Sequence, residues 1–170
     1  TGIANLEQAD VILLVGTNPR AEAPMINARI RKAWLNNLDV KIGLIGEQKD
    51  LSYDYDYLGA GPDTLASLAN GEGSFAEALK GAKNPVVIVG MGALSRPDGA
   101  AVLNAAAKLA DGIDAIRGDW NGFNVLHTAA GRVGALDLGF LPGEGGKTFA
   151  EILDGCEARE IEFVYNLGAD

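Results

Sequence analysis

Cysteine is almost missing from this chain: among 170 residues only Cys156 carries a thiol. No internal disulfide can form, and the several thiolates of an iron–sulfur cluster or a zinc site are not there. A reducing compartment is the modest inference. Histidine is equally scarce, His127 alone, which removes any metal site needing two imidazoles. The longest apolar runs, Val11 to Val15 and Val86 to Val89, fall far short of the roughly 20 residues a spanning helix requires. Basic residues are outnumbered, 14 Lys plus Arg against 23 Asp plus Glu, and the resulting charge of −9 repels phosphate backbones and anionic lipid. Nucleic acid and direct membrane insertion are therefore not expected. No G-x-x-x-x-G-K-[ST] phosphate loop occurs, so ATP or GTP hydrolysis has no support. Thr1 is not a start methionine, and no basic region followed by an apolar stretch opens the chain. A segment of a longer protein is the expectation.

With 48% hydrophobic and 22% charged residues, the composition is that of a globular fold. A chain this long buries roughly 70% of its unfolded surface, without a metal or disulfide staple. Residues 10–16, 40–46 and 85–90 are short apolar runs rich in branched side chains and closed by glycine, the pattern of strands covered on both faces in a parallel sheet. Ile161 to Leu167 reads as a fourth strand, and Asp114 to Ile116 as a weak fifth. Helical patterns lie between the runs. After Pro24, Ile26, Ile30, Ala33 and Trp34 share one stripe, and residues 62–70 and 74–82 are shorter candidates around the turn at Gly71 to Gly73. An alanine-rich run after Pro97 extends through Ala110. Strand and helix alternating in this order predict an open, mainly parallel α/β sheet with helices on both faces, doubly wound and Rossmann-like, in a single domain over 1–170. Within it, 117–147 is crowded with glycine and reads as loop mixed with short helix.

Ligands of open α/β sheets sit at the carboxyl ends of strands. The exits here are 16–20, 90–92 and 168–170. In a cofactor site, Thr17 and Asn18 would hydrogen-bond a ligand, Arg20 would meet a phosphate or carboxylate, and Gly16, Gly90 and Gly92 would let backbone come close. The plainer alternative, which the residues favour, is a turn at Asn18 and Pro19 with Arg20 paired to Glu22 or to another protein. Gly90 and Gly92 begin a nucleotide-type glycine pattern whose third position, 95, holds Ser95. A tight strand-to-helix turn with Ser95 capping the helix near Pro97 explains it equally. His127 is read as structural or interfacial, and Cys156, beside Asp154 and Glu157, as inert. Tyr53, Asp54, Tyr55, Asp56 and Tyr57 form a polar-aromatic patch, read by default as exposed loop and more sharply as a docking surface.

The run from Ala9 to Trp34, ADVILLVGTNPRAEAPMINARIRKAW, resembles the family of large iron–sulfur subunits of respiratory complex I, the proton-pumping NADH:quinone oxidoreductase. GDWN at 118–121, NVLH at 124–127 and ALDLG at 135–139 resemble it too. The likeness spans nearly the whole chain and corresponds to the middle of that subunit's C-terminal half, itself similar to molybdopterin-dependent oxidoreductases such as formate dehydrogenase. Molybdopterin enzymes usually carry an Asp-Pro-Arg-like turn after the second strand; here 44–49 reads LIGEQK, without the proline or arginine. The resemblance thus implies a parent that passes electrons from NADH through 4Fe–4S and 2Fe–2S clusters toward quinone, with this region a redox-inactive scaffold holding no cofactor and no catalytic or metal-ligating residue. It implies other subunits of the peripheral arm as partners, at the cytoplasmic face of a bacterial inner membrane or the matrix side in a mitochondrion. The alternatives are a fragment of an active molybdopterin oxidoreductase and a nucleotide-binding module, the latter suggested by 84–92, NPVVIVGMG.

Overall fold

The computed structural model describes residues 2–129, 131–166 and 168. They fall into two compact units, 1–128 and 129–170.

The first unit carries the sheet. A short 3-10 helix, Ile3–Gln8, precedes β1 (Val11–Val15), α1 (Pro19–Glu22), α2 (Pro24–Asn36), β2 (Lys41–Ile45), β3 (Asp56–Gly59), α3 (Pro62–Ala69) and α4 (Ser74–Lys80). Then come β4 (Pro85–Gly90), α5 (Met91–Leu94), α6 (Gly99–Gly112), β5 (Ile116–Arg117), β6 (Trp120–Asn121) and β7 (Phe123–Leu126). Five strands pair in the order β3-β2-β1-β4-β7, every pair parallel. β5 and β6 make a separate antiparallel pair.

Every residue of β1 and β4 is buried, because side chains alternate across a strand and both faces are covered. Ile12 and Leu14 join Ile30, Leu44 and Ile88 in one core, beneath α2 and the 3-10 helix. Leu13 and Val15 join Leu65, Leu79, Val87 and Val102 in the other, beneath α3, α4 and α6. Gly43 leaves room in the second: a Cβ there would lie 2.5 Å from the Phe75 ring. The two cores confirm the doubly wound architecture read from the sequence.

Ion pairs and polar clasps tie the layers at their ends. Glu7 pairs with Arg29, and with Lys32 at 2.7 Å, and these cations hold its carboxyl below the usual carboxylate range. The Asp10 carboxylate accepts the backbone N–H groups of Lys83 at 2.6 Å and Asn84 at 2.8 Å, joining the starts of β1 and β4. The Trp120 indole donates to the Pro85 carbonyl at 2.9 Å. Gly122 fits against that same carbonyl, 2.0 Å from where a Cβ would sit.

Several expectations need correction. Residues 161–166 form no strand: they have no regular structure and, Ile161 apart, lie exposed, Phe163 at 79% and Tyr165 at 76%, so among the described residues no layer covers the apolar side chains that suggested one. Leu167 lies outside the described residues. Phe123–Leu126 is instead the fifth strand of the sheet, within the stretch read as loop and short helix. The patch after β2 divides: Tyr53, Asp54 and Tyr55 have no regular structure and both carboxylates, Asp54 and Asp56, lie exposed, but Tyr53 packs in the core, where burial pushes its hydroxyl well above the usual range, and Asp56 and Tyr57 begin edge strand β3. The Asp114–Ile116 candidate shrinks to β5 in the small antiparallel pair. Ser95 caps no helix start; it ends α5, and α6 begins after Asp98.

The second unit holds α7 (Gly131–Asp137) and α8 (Phe149–Glu157). Thr148 starts α8 with a reciprocal capping box: its N–H donates to Glu151 at 2.7 Å and its Oγ1 accepts from the Glu151 N–H.

Leu14 is fully buried in the centre of the sheet. Leu14→Ala is expected to cost about 2–5 kcal/mol of stability. Urea unfolding followed by circular dichroism checks it; a loss under about 1 kcal/mol, the size of an ordinary surface substitution, contradicts this packing.

Candidate functional site

Strand order reverses between β1 and β4: the chain moves outward through β2 and β3, then returns to the other side of β1. A crevice outside the carboxyl ends of the strands forms at such a switch point. A cavity of about 330 Å³ lies there. Its wall comes from the exit of β1 (Val15 to Asn18, with Glu22), the exit of β2 (Ile45 to Glu47, with Lys49), the start of α3 (Ala60 to Pro62, with Leu65) and the exit of β4 (Gly92, Ala93, Arg96).

Backbone geometry explains the glycines. Gly16 turns the chain out of β1 at φ +57°, a left-handed conformation that costs a side-chain-bearing residue roughly 1–2 kcal/mol. A Cβ on Gly16 would lie 2.5 Å from the Ala93 Cβ; one on Gly90 would lie 2.4 Å from the Thr17 Cβ, and one on Gly92 2.7 Å from the Gly16 oxygen. The β1 and β4 exits thus pack directly on each other. Gly16 N–H donates to the Ile45 carbonyl at 2.8 Å, and Gly46 N–H to Gly59, so neighbouring exits are laced in sequence.

The polar groups are arranged around that junction. Thr17 is buried and its Oγ1 donates to Glu22 Oε2 at 2.9 Å, while the Asn18 N–H donates to Glu22 Oε1 at 2.7 Å. Asn18 Oδ1 is buried in the cavity wall with no hydrogen-bond partner among the described residues. Lys49 pairs with Glu47 at 2.5 Å, and Arg96 grips Asp98 through two bonds of 2.7 and 2.9 Å, which holds the Asp98 carboxyl below its usual range.

Of the residues singled out in the sequence, Gly16, Thr17, Asn18 and Gly92 line the cavity, and Gly90 supports it from behind. Arg20 does not. Its guanidinium turns away to the Asp50 carboxylate at 2.5 Å and the Asp50 carbonyl at 3.1 Å. The expected partner Glu22 is already engaged by Thr17 and Asn18, a local closure within one short helix that leaves Arg20 free to reach the β2 loop. That loop is clasped from several sides: Asn27 Nδ2 donates to Leu51, Arg31 to Ser52, and the Tyr55 hydroxyl donates to the Lys49 carbonyl while accepting its N–H. Glu22 reads in the sequence only as a partner for Arg20, not as part of the cavity wall, and Glu47, Lys49 and Arg96 do not stand out there as site residues. An acidic residue four positions after the Asn18 turn was the available signal for Glu22; for the others, none precedes the fold. His127 follows β7 and Cys156 lies on α8; neither lines the cavity. No group of three or more metal-ligating side chains occurs among the described residues.

Gly16→Ala is expected to cost more than about 2 kcal/mol, from left-handed strain and overpacking on Ala93 together. Gly112→Ala, at an α6 position with open space, gains roughly 0.5–1 kcal/mol. Thermal unfolding of the pair checks the contrast; equal effects refute it. The Asp50 carboxyl sits below its ordinary value of 3.8, first through the Ser52 N–H and then through Arg20. A depressed folded value means the loop contact is intact above pH 3.8 and lost as pH falls through the folded titration. Arg20→Ala should raise the Asp50 titration by carbon-detected NMR yet leave it below 3.8, since Ser52 remains; an unchanged titration contradicts the pairing.

The sequence profile described as molybdopterin oxidoreductase matches residues 1–170. The chain is 45% identical over 170 residues to a Solanum tuberosum protein named mitochondrial NADH dehydrogenase (ubiquinone) iron–sulfur protein 1, covering all of this chain and 22% of that protein. It is 41% identical over 172 residues to the mitochondrial NADH-ubiquinone oxidoreductase 78 kDa subunit of Neurospora crassa, again all of this chain and 22% of the relative. It is 41% identical over 170 residues to a subunit of the NADH-quinone oxidoreductase of Rickettsia bellii, covering all of this chain and 23% of that subunit. The chain thus spans under a quarter of the length of these relatives, which are NADH dehydrogenase and NADH:quinone oxidoreductase subunits by name, and it belongs to the molybdopterin oxidoreductase family.

Proposed function

We propose that these 170 residues are a structural segment of the large iron–sulfur subunit of an NADH:quinone oxidoreductase, the respiratory complex I. The parent passes electrons from NADH through 4Fe–4S and 2Fe–2S clusters toward quinone; this segment contributes shape and contact surface and no redox centre. The observation that carries the reading is identity of 41–45% across the whole chain to subunits of that enzyme from a plant, a fungus and a bacterium. The donor chemistry agrees with it: one thiol and one imidazole cannot ligate a cluster. Partners are then the neighbouring subunits of the peripheral arm, on the cytoplasmic face of a bacterial inner membrane or the matrix side of a mitochondrial one. No helix among the described residues is long and apolar enough to cross a membrane.

A second reading, a piece of an active molybdopterin enzyme such as a formate dehydrogenase, draws on the family match alone. Elemental analysis of the full-length parent separates the two. Under the first reading it carries iron but neither molybdenum nor tungsten, and the double variant Cys156→Ser, His127→Ala keeps the iron content and every cluster signal in electron paramagnetic resonance. Stoichiometric molybdenum or tungsten, or a cluster lost in that variant, overturns it.

A further inference from the structure

We infer that the cavity at the strand exits is self-liganded: carboxylates of the chain itself, Glu22 foremost, occupy the positions an anionic cofactor would need, so the site refuses phosphate-bearing groups. The family implies such a group, a pterin carried on phosphate. In an open α/β sheet a phosphate is held by free N–H groups at the turn after a strand, helped by a hydroxyl and a cation. Here, in the turn after β1, the Asn18 N–H and the Thr17 hydroxyl donate to the two oxygens of Glu22 at 2.7 and 2.9 Å. Glu22 closes on the start of its own helix, where the carboxylate sits as a bound anion would.

The cations are matched in the same way. Arg20 goes to Asp50, Lys49 to Glu47 and Arg96 to Asp98. An incoming phosphate would share each of these cations with a carboxylate already beside it and would stand next to that negative charge. The glycines offer no cradle either. A Cβ on Gly16, Gly90 or Gly92 would strike Ala93, Thr17 or the Gly16 carbonyl, all atoms of the chain, so their lack of side chains serves the approach of one turn to another. The volume of about 330 Å³ stands at the small end of cavities that hold drug-sized ligands, roughly 300–1,000 Å³. The pterin group does not fit. The one buried polar atom of the wall without a partner among the described residues is an acceptor, Asn18 Oδ1, which suits a neutral hydrogen-bond donor such as water.

The Glu22 clasp closes the turn after β1 whether or not the parent works in complex I, so the test stands apart from the cluster measurements above. The whole 170-residue chain is titrated with inorganic phosphate and, separately, with guanosine monophosphate, following the Thr17 and Asn18 amide signals by NMR and heat by calorimetry. The native chain is expected to show no saturable change with either probe. Glu22→Ala vacates both donors and is expected to bind phosphate at least about tenfold more tightly than the native chain, with the Asn18 amide shifting on saturation. Glu22→Gln removes the charge while keeping the shape, serves if the alanine variant does not fold, and should also gain phosphate binding. Saturable binding of either probe by the native chain with the Asn18 amide moving overturns the proposal. So does a folded variant that gains nothing.

Discussion

Two backbone turns meet at the centre of the sheet with glycine on one side of each contact, and most of the site follows from that junction. The exits of β1 and β4 press together at Gly16 and Ala93, Gly90 and Thr17, Gly92 and the Gly16 carbonyl. Side chains of ordinary size at these glycines would force the two central strands apart at their carboxyl ends, and the laced hydrogen bonds from Gly16 to Ile45 and from Gly46 to Gly59 would lose their register. The cavity is what remains in front of the junction. Its polar lining then has to satisfy itself, because each buried donor left without an acceptor costs on the order of 1–3 kcal/mol. Glu22, rising from a helix of four residues, meets two of those demands at once.

What could be read in the sequence depended on burial. The three central strands show as uninterrupted apolar runs because both faces of β1, β2 and β4 are covered, and their exits at Gly16, Gly46 and Gly90 follow the runs directly. The edges were hidden for the same reason. β3 begins with Asp56 and Tyr57, both exposed, and β7 is half-buried throughout, so neither carries the pattern that marks a covered strand. The reverse error at 161–166 arises because branched and aromatic residues also gather on surfaces that fold against nothing within the described chain. Periodicity reports apolar side chains, and only the tertiary structure decides whether they are covered.

The candidate site was half legible. The glycines and Thr17 and Asn18 stand in one stretch after an obvious strand, so their place at the crest follows from the general position of sites in open sheets. Lys49, Arg96 and their carboxylate partners come from loops whose paths no local pattern sets. The loop carrying Lys49 is held by the Tyr55 hydroxyl at Lys49 itself and by Asn27 and Arg31 of α2 at Leu51 and Ser52, contacts made across 24 and 21 residues in the case of α2. The fate of Arg20 turned on a competition that sequence spacing cannot rank: a carboxylate two residues away, already saturated, against one thirty residues away with a free oxygen.

The clasp at the opposite end of the sheet bears on how the chain is made. Asp10 binds the N–H groups of Lys83 and Asn84 across 73 and 74 residues, and β1, the middle strand, needs β4 for its second ladder. On the ribosome, β1 emerges long before its partner, so a nascent chain carries the most apolar strand of the protein with one edge open until position 90 is clear of the exit tunnel. A long interval with an open strand edge during synthesis, rather than weakness of the finished fold, is the cost that this topology imposes.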